Sequence, residues 1–216
     1  MLTGRLLRVR INLPLYIPYE GRFVLKHLEV EGPGKLVEEL EKLSALGSSW
    51  ASAALGCLCL LPGRHVRRDP DRALQLCREP AGRGDPYALF VYAWALLHVG
   101  QRAAAIRAMK KSALLKFPPA ALDLVTFVWR GWGIKERSPQ LARDLLRRAF
   151  SQHHALAVWW LSNFYRSGQF GALRWVLGWL LAPGAVVWGT LQIRRDPFSS
   201  RVFSLSTSSD GPFFKT

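Results

Sequence analysis

The chain has 216 residues, 50% of them hydrophobic and nine of them Trp, which is enough apolar mass for a real core and excludes wholesale disorder. Its 30 Lys and Arg against 15 Asp and Glu leave a net charge of +15, which favours anionic partners (nucleic acid, acidic headgroups or an acidic protein face) without choosing among them. Three cysteines, Cys57, Cys59 and Cys77, exclude a disulfide framework and point to a reducing compartment.

Residues 1–50 read as an N-terminal arm and a capping helix. Met1 to Arg10 is basic, but the following Ile11 to Pro18 is broken by Pro14 and Pro18 and lacks a small-residue cleavage site, so no secretory signal is expected. The arm through Gly21 is irregular or briefly helical, and a short amphipathic piece from Arg22 to Glu31 is ended by Gly32-Pro33-Gly34. Leu36, Val37, Leu40, Leu43 and Leu46 then recur at three- and four-residue steps among Glu38, Glu39, Glu41 and Lys42. That spacing predicts an amphipathic helix stopped by Gly47 and capping the segment C-terminal to it.

Residues 51–184 are periodic. Ala54, Ala88, Ala121 and Ala155 stand 34, 33 and 34 residues apart, dividing the segment into 51–86, 87–119, 120–154 and 155–184. Gly63, Gly100, Gly133 and Gly168 fall where a first helix should end, and Ala73, Ala105, Ala142 and Ala172 fall inside a second. A steady period of this length marks helix pairs that each leave a hydrophobic face for the neighbour to cover. Asp69-Pro70 and Ser138-Pro139 are an N-cap followed by Pro at the first helical position, so both second helices start with the same chemistry. The small residues let helices approach closely, and a bulky side chain at Ala73 or Ala142 should cost about 1–3 kcal/mol.

Val66-Arg67-Arg68-Asp69-Pro70-Asp71-Arg72-Ala73, between Leu55-Gly56 and Gly84-Asp85, resembles the Sel-one-like repeat family, relatives of the tetratricopeptide repeats. Gly131-Trp132-Gly133-Ile134 with Ala142 and Arg148-Ala149, and Tyr165, Gly168 and Ala172 to Trp175, continue the resemblance over roughly residues 51–180. The second unit lacks the family's glycine loop, and Ser138 stands near the third unit's expected Asp. The resemblance implies an all-α, right-handed α-solenoid of about four helix-turn-helix repeats, with an N-terminal capping helix and an apolar C-terminal segment. It also implies a non-enzymatic adaptor or scaffold for protein–protein interactions, of bacterial origin, cytoplasmic or on the cytoplasmic face of a membrane.

Trp175 to Ile193 contains no charged residue, with Arg174 before it and Arg194-Arg195 after. Pro183-Gly184 divides this run into two pieces too short to cross a ~30 Å hydrocarbon core as one helix. Three arrangements remain open: a buried second helix closing the stack, a monotopic hairpin dipping into a membrane, or a span. Trp175, Trp179, Trp188, Arg194 and Arg195 are the candidate membrane contacts, and with both flanks basic the charge distribution sets no direction. The domain ends in residues 185–216, the last of the apolar segment and a tail rich in Ser and Phe that is expected to be mobile.

No constellation of catalytic residues emerges. Adjacent His153 and His154 do not converge if helical, Cys57-x-Cys59 with Cys77 lacks the paired spacing of a zinc site, and no strand-loop-helix cradles a phosphate, so no metal, cofactor or enzymatic activity is expected. The expected partner is a protein or peptide segment, held in a groove of first helices by Tyr92, Trp94, Trp129, Arg130, Trp160 and Tyr165. Arg67, Arg68, Arg72, Lys110, Lys111, Arg143, Arg147 and Arg148 could align as a basic ridge for an anionic membrane surface. The same ridge is the basis of the alternative, a repeat protein binding RNA or single-stranded DNA.

Overall fold

The computed structural model describes residues 16–18, 21, 32–61, 66–130, 139–151, 154–168 and 171–195. Most of the arm, Gly63, Gly131 to Gly133, Ser138, His153 and the 196–216 tail lie outside them. Among the described residues every regular element is an α-helix. In chain order these are α1 (Gly32–Ala45), α2 (Ser49–Leu60), α3 (Pro70–Gly82), α4 (Pro86–His98), α5 (Arg102–Leu114), α6 (Pro118–Arg130), α7 (Pro139–Ser151), α8 (Ala155–Arg166) and α9 (Ala172–Arg195). They form two compact units, Met1–Leu115 and Lys116–Thr216.

In the first unit α1 packs on α2, α2 on both α3 and α4, α3 on α4, and α4 on α5. Second helices therefore flank first helices, and successive first helices touch each other. Everything from Ala51 to Leu60 is buried, and so is almost all of α4. Both helices are apolar all round, the mark of a helix with neighbours on every side. α3 and α5 carry one apolar stripe each, through Ala73 and Cys77 and through Ala105, Met109 and Ala113.

Gly56 shows how tightly this unit is drawn together. A Cβ there would stand 2.7 Å from Sγ of Cys77 on α3 and 3.3 Å from Cγ1 of Val91 on α4. One missing side chain thus lets three helices meet.

The helix ends are chemically specified. The Asp69 carboxylate accepts from the Arg72 amide at 2.9 Å, with Pro70 opening α3. The Asp69 amide in turn donates to the Cys59 carbonyl, one of the carbonyls left unsatisfied at the end of α2. Asp85 with Pro86 repeats the cap, accepting from the Ala88 amide at 2.8 Å. At the end of α3, Gly84 (φ 88°) allows the Asp85 amide to reach back to the Pro80 carbonyl, and Gly100 (φ 82°) does the same after α4 for Gln101 and Leu96. Lys116 (φ 62°) takes this left-handed conformation after α5 without being glycine.

Two boundaries differ from the sequence-based expectation. Gly32-Pro33-Gly34 is the first turn of α1 rather than the end of a preceding piece, since Pro is tolerated where no intrahelical amide bond is needed. Pro183-Gly184 does not divide the apolar segment: α9 runs unbroken for 24 residues through Pro183. In the second unit α6 packs on α7, α7 on α8, and α9 lies most extensively along α8. At that crossing Gly178 is buried, and a Cβ on it would meet backbone, 2.7 Å from the Ser162 carbonyl oxygen and 2.8 Å from the Arg166 nitrogen. Of the predicted second-helix alanines, Ala73, Ala105 and Ala142 are fully buried, whereas Ala172 is exposed at the start of α9.

Candidate functional site

Three of the aromatic residues expected to line a groove of first helices are not on the surface. Trp94 on α4 and Trp160 and Tyr165 on α8 are at most 5% exposed and belong to the core. The physical reason is the enclosure of first helices by neighbours: Trp94 lies between Ala93 and Ala95, both at 0% exposure. Tyr92 is the one described candidate that remains half-buried. Trp129 and Arg130 end α6, and their side chains lie outside the described set.

The basic residues do not form one stripe in the first unit. Arg72 lies on the first turn of α3 and Lys110 and Lys111 near the end of α5, at opposite ends of their second helices. Several are also engaged. Arg72 pairs with Glu41 of α1 at 2.7 Å, and Arg68 bonds Nδ1 of His98 at 3.1 Å. In the second unit Arg143 lies 3.4 Å from Asp144, while Arg147 and Arg148 are exposed on α7. Arg67 is exposed in the loop before α3.

Cys57, Cys59 and Cys77 are buried free thiols, and burial pushes Cys57 up to about 12. They are core packing in protonated form, far from the thiolate that metal binding or nucleophilic chemistry requires. Among the described residues no cluster of His, Cys, Asp or Glu could hold a metal ion. His154 is fully buried just before α8.

The most unusual surface is α9. Leu173, Trp175, Val176, Leu177, Trp179, Leu180, Val186, Val187 and Leu191 are all exposed large hydrophobics on one helix. Among its described side chains only Gly178, Ala185 and Gly189, a narrow stripe of small residues, are buried. Trp175 and Trp179 pack edge-on with centroids 6.2 Å apart, and the Arg166 guanidinium stacks 3.7 Å from the Trp179 ring. Thr190, a polar residue in the exposed run, turns its hydroxyl back to the Val186 carbonyl at 2.8 Å. Trp188 is half-buried with Nε1 enclosed, so it is not a surface aromatic like the other two. Arg194 is exposed, and the Arg195 side chain lies outside the described set. By length and composition, Ala172–Gln192 is the one described helix able to cross a membrane.

No protein-family model and no curated protein matches the chain. Among solved structures, it is similar to the crystal structure of a protective antigen present in uropathogenic Escherichia coli strains and displaying an SLR fold, with a TM-score of 0.62 and 19% identity. The chain has the Sel-one-like repeat fold. The similarity covers 89% of this chain and 42% of that antigen, so this chain matches less than half of the longer protein. In Sel-one-like terms, α2 with α3, α4 with α5, α6 with α7 and α8 with α9 are the successive helix pairs, and α1 precedes the first. Such repeat folds generally present surfaces for protein–protein interaction. The sequence pattern left the exposure of α9 open, because an uncharged run reads alike whether it is buried or bare.

Proposed function

We propose that the chain is a non-enzymatic Sel-one-like scaffold for protein–protein interaction, held at the cytoplasmic face of a membrane by α9. The observation that carries the scaffold reading is the repetition of helix pairs in the Sel-one-like fold, an architecture that generally presents surfaces for protein–protein interaction. The membrane part is supported by the bare apolar surface of α9. From Arg174 to Arg194 the helix rises about 30 Å at ~1.5 Å per residue, which equals the ~30 Å thickness of a hydrocarbon core. A cation thus stands at each end of an uncharged run, where headgroups would neutralise it. A Pro inside such a helix is ordinary for membrane segments. The inward hydroxyl of Thr190 suits apolar surroundings.

Two experiments test this. Cells expressing the full chain are fractionated: sedimentation with membranes, resistant to alkaline carbonate, is expected. Recovery in the supernatant without detergent refutes the anchor. A photo-crosslinking residue replacing Tyr92, the half-buried aromatic of α4, should yield a discrete higher-mass adduct in those cells. Illumination that leaves only the unmodified chain refutes the scaffold.

A further inference from the structure

Arg166 closes α8, and its side chain is built into the crossing with α9. The stem passes over Gly178, with Cγ 2.9 Å from where a Cβ on that glycine would stand, so only a residue without a side chain leaves it room. The guanidinium then lies on the Trp179 indole, 3.7 Å from the ring centroid, and Nη1 donates to Oδ1 of Asn163 at 3.4 Å. Trp175 meets Trp179 edge-on, one turn nearer the start of α9. The cation is thus held by its stem, its face and one edge.

Its own chain segment offers it no countercharge. Between Asp144 and Asp196 the sequence has no acidic residue, while Arg147, Arg148, Arg166, Arg174, Arg194 and Arg195 all fall inside that stretch. Neither helix of the pair therefore supplies a carboxylate to Arg166. A guanidinium laid flat on an indole still directs a row of N–H donors outward along its plane, and that edge fits two oxygens of one phosphate at once.

The surroundings decide which phosphate. Leu173, Val176 and Leu180 are exposed on the same helix as the two indoles, themselves 45% and 49% exposed. A phosphate on nucleic acid or in solution would leave this apolar surface in water, whereas a phospholipid brings acyl chains to it and phosphate to the cation. Helical side chains tilt toward the N-terminus, so the Trp179 ring leans toward Trp175 and the end of α9 where Arg174 stands, an arrangement that suits the headgroup level of a membrane. We propose that Arg166, held by Trp179 and Asn163, binds the phosphate of an anionic phospholipid whose acyl chains lie along α9. This rests on the membrane reading and adds the headgroup that the anchor selects. The cytoplasmic leaflet, rich in anionic lipid, offers that ligand.

The test uses the full-length chain, purified in detergent and mixed with equal amounts of phosphatidylglycerol and phosphatidylcholine, with bound lipid read by native mass spectrometry. The natural chain should carry phosphatidylglycerol in about fivefold excess, the gain of one cation at an anionic surface. Arg166→Gln should bring the two lipids to parity, and Trp179→Leu should lower the excess with the charge intact, because the guanidinium loses its platform. Equal lipids on the natural chain, or an unchanged excess in either variant, overturns the proposal. So does displacement of the lipid by excess inorganic phosphate or by an RNA oligonucleotide, which would make this a site for soluble anions. If Arg166→Gln loses helical circular dichroism, Arg166→Lys, which keeps the charge without the two-pronged edge, carries the same test and should retain less than half of the excess. A natural chain that sediments with membranes yet takes both lipids equally removes only the headgroup site, while recovery in the supernatant removes the anchor and the site together.

Discussion

Adding one methyl group at Gly56 should change stability in a direction that depends on a single sulfur atom on another helix. In Gly56→Ala the new Cβ stands 2.7 Å from Sγ of Cys77, well inside the 3.5–4.0 Å at which nonpolar atoms rest, and 3.3 Å from Val91. Overpacking of this kind costs about 1–3 kcal/mol. Against it, replacing an interior helical Gly by Ala gains about 0.8–1.0 kcal/mol of helix propensity. Gly56→Ala alone should therefore lower stability by about 1 kcal/mol. In a Cys77→Ala background the sulfur is gone, the contact relaxes, and the same methyl should raise stability by up to about 1 kcal/mol by propensity and by filling the void. The two effects combine into a coupling of about 1–3 kcal/mol between residues 56 and 77. Urea unfolding of the four proteins, followed by circular dichroism in one detergent buffer, measures it. Equal effects of Gly56→Ala in both backgrounds would refute the claim that this crossing is set by sulfur–carbon contact.

Lys116→Gly should raise the urea midpoint by the equivalent of up to about 1 kcal/mol, because a lysine there holds φ 62°. Asp85→Ala removes the cap on the Ala88 amide and should cost about 1 kcal/mol, with Asp85→Asn recovering most of it, measured by the same unfolding curves. Thr126→Val replaces a buried hydroxyl that has no hydrogen-bond partner among the described residues with a methyl of the same shape, so a gain of about 1 kcal/mol is expected in thermal unfolding. Gly178→Ala sets its methyl against the Ser162 and Arg166 backbone, which cannot step aside as a side chain can. α9 should part from α8 at a cost of about 3 kcal/mol, the upper end of overpacking, and tryptophan emission should change as Arg166 leaves Trp179. Unchanged emission would mean the crossing tolerates the methyl.

Much of the fold was legible because its signals are local. Leu36 and Leu40 sit at helical spacing and are fully buried in α1, while Ala73, Ala105 and Ala142 mark second helices where the period put them. Asp69-Pro70 announces the start of α3, and Gly100 and Gly168 end α4 and α8 with positive φ. The same dipeptide chemistry at Asp85-Pro86 was a start signal hidden behind Gly84, which reads first as a stop. The candidate groove was less legible. An aromatic on an apolar first helix carries no mark of whether a neighbour covers it, and for Trp94, Trp160 and Tyr165 a neighbour does. The basic residues were likewise visible as charges but not as pairs, since Arg72 meets Glu41 from thirty-one positions away.

By itself the sequence determined that this protein is built from short helices in successive pairs, because caps, glycine stops and small-residue spacing act within a few residues of where they stand. Only the tertiary structure decided which surfaces are left over. It closed the first helices into the core, laid Tyr16 and Ile17 on the first unit's repeats, and left α9 bare along an unbroken helix through Pro183. Burial is a property of what arrives from elsewhere in the chain, and no local pattern records the arrival.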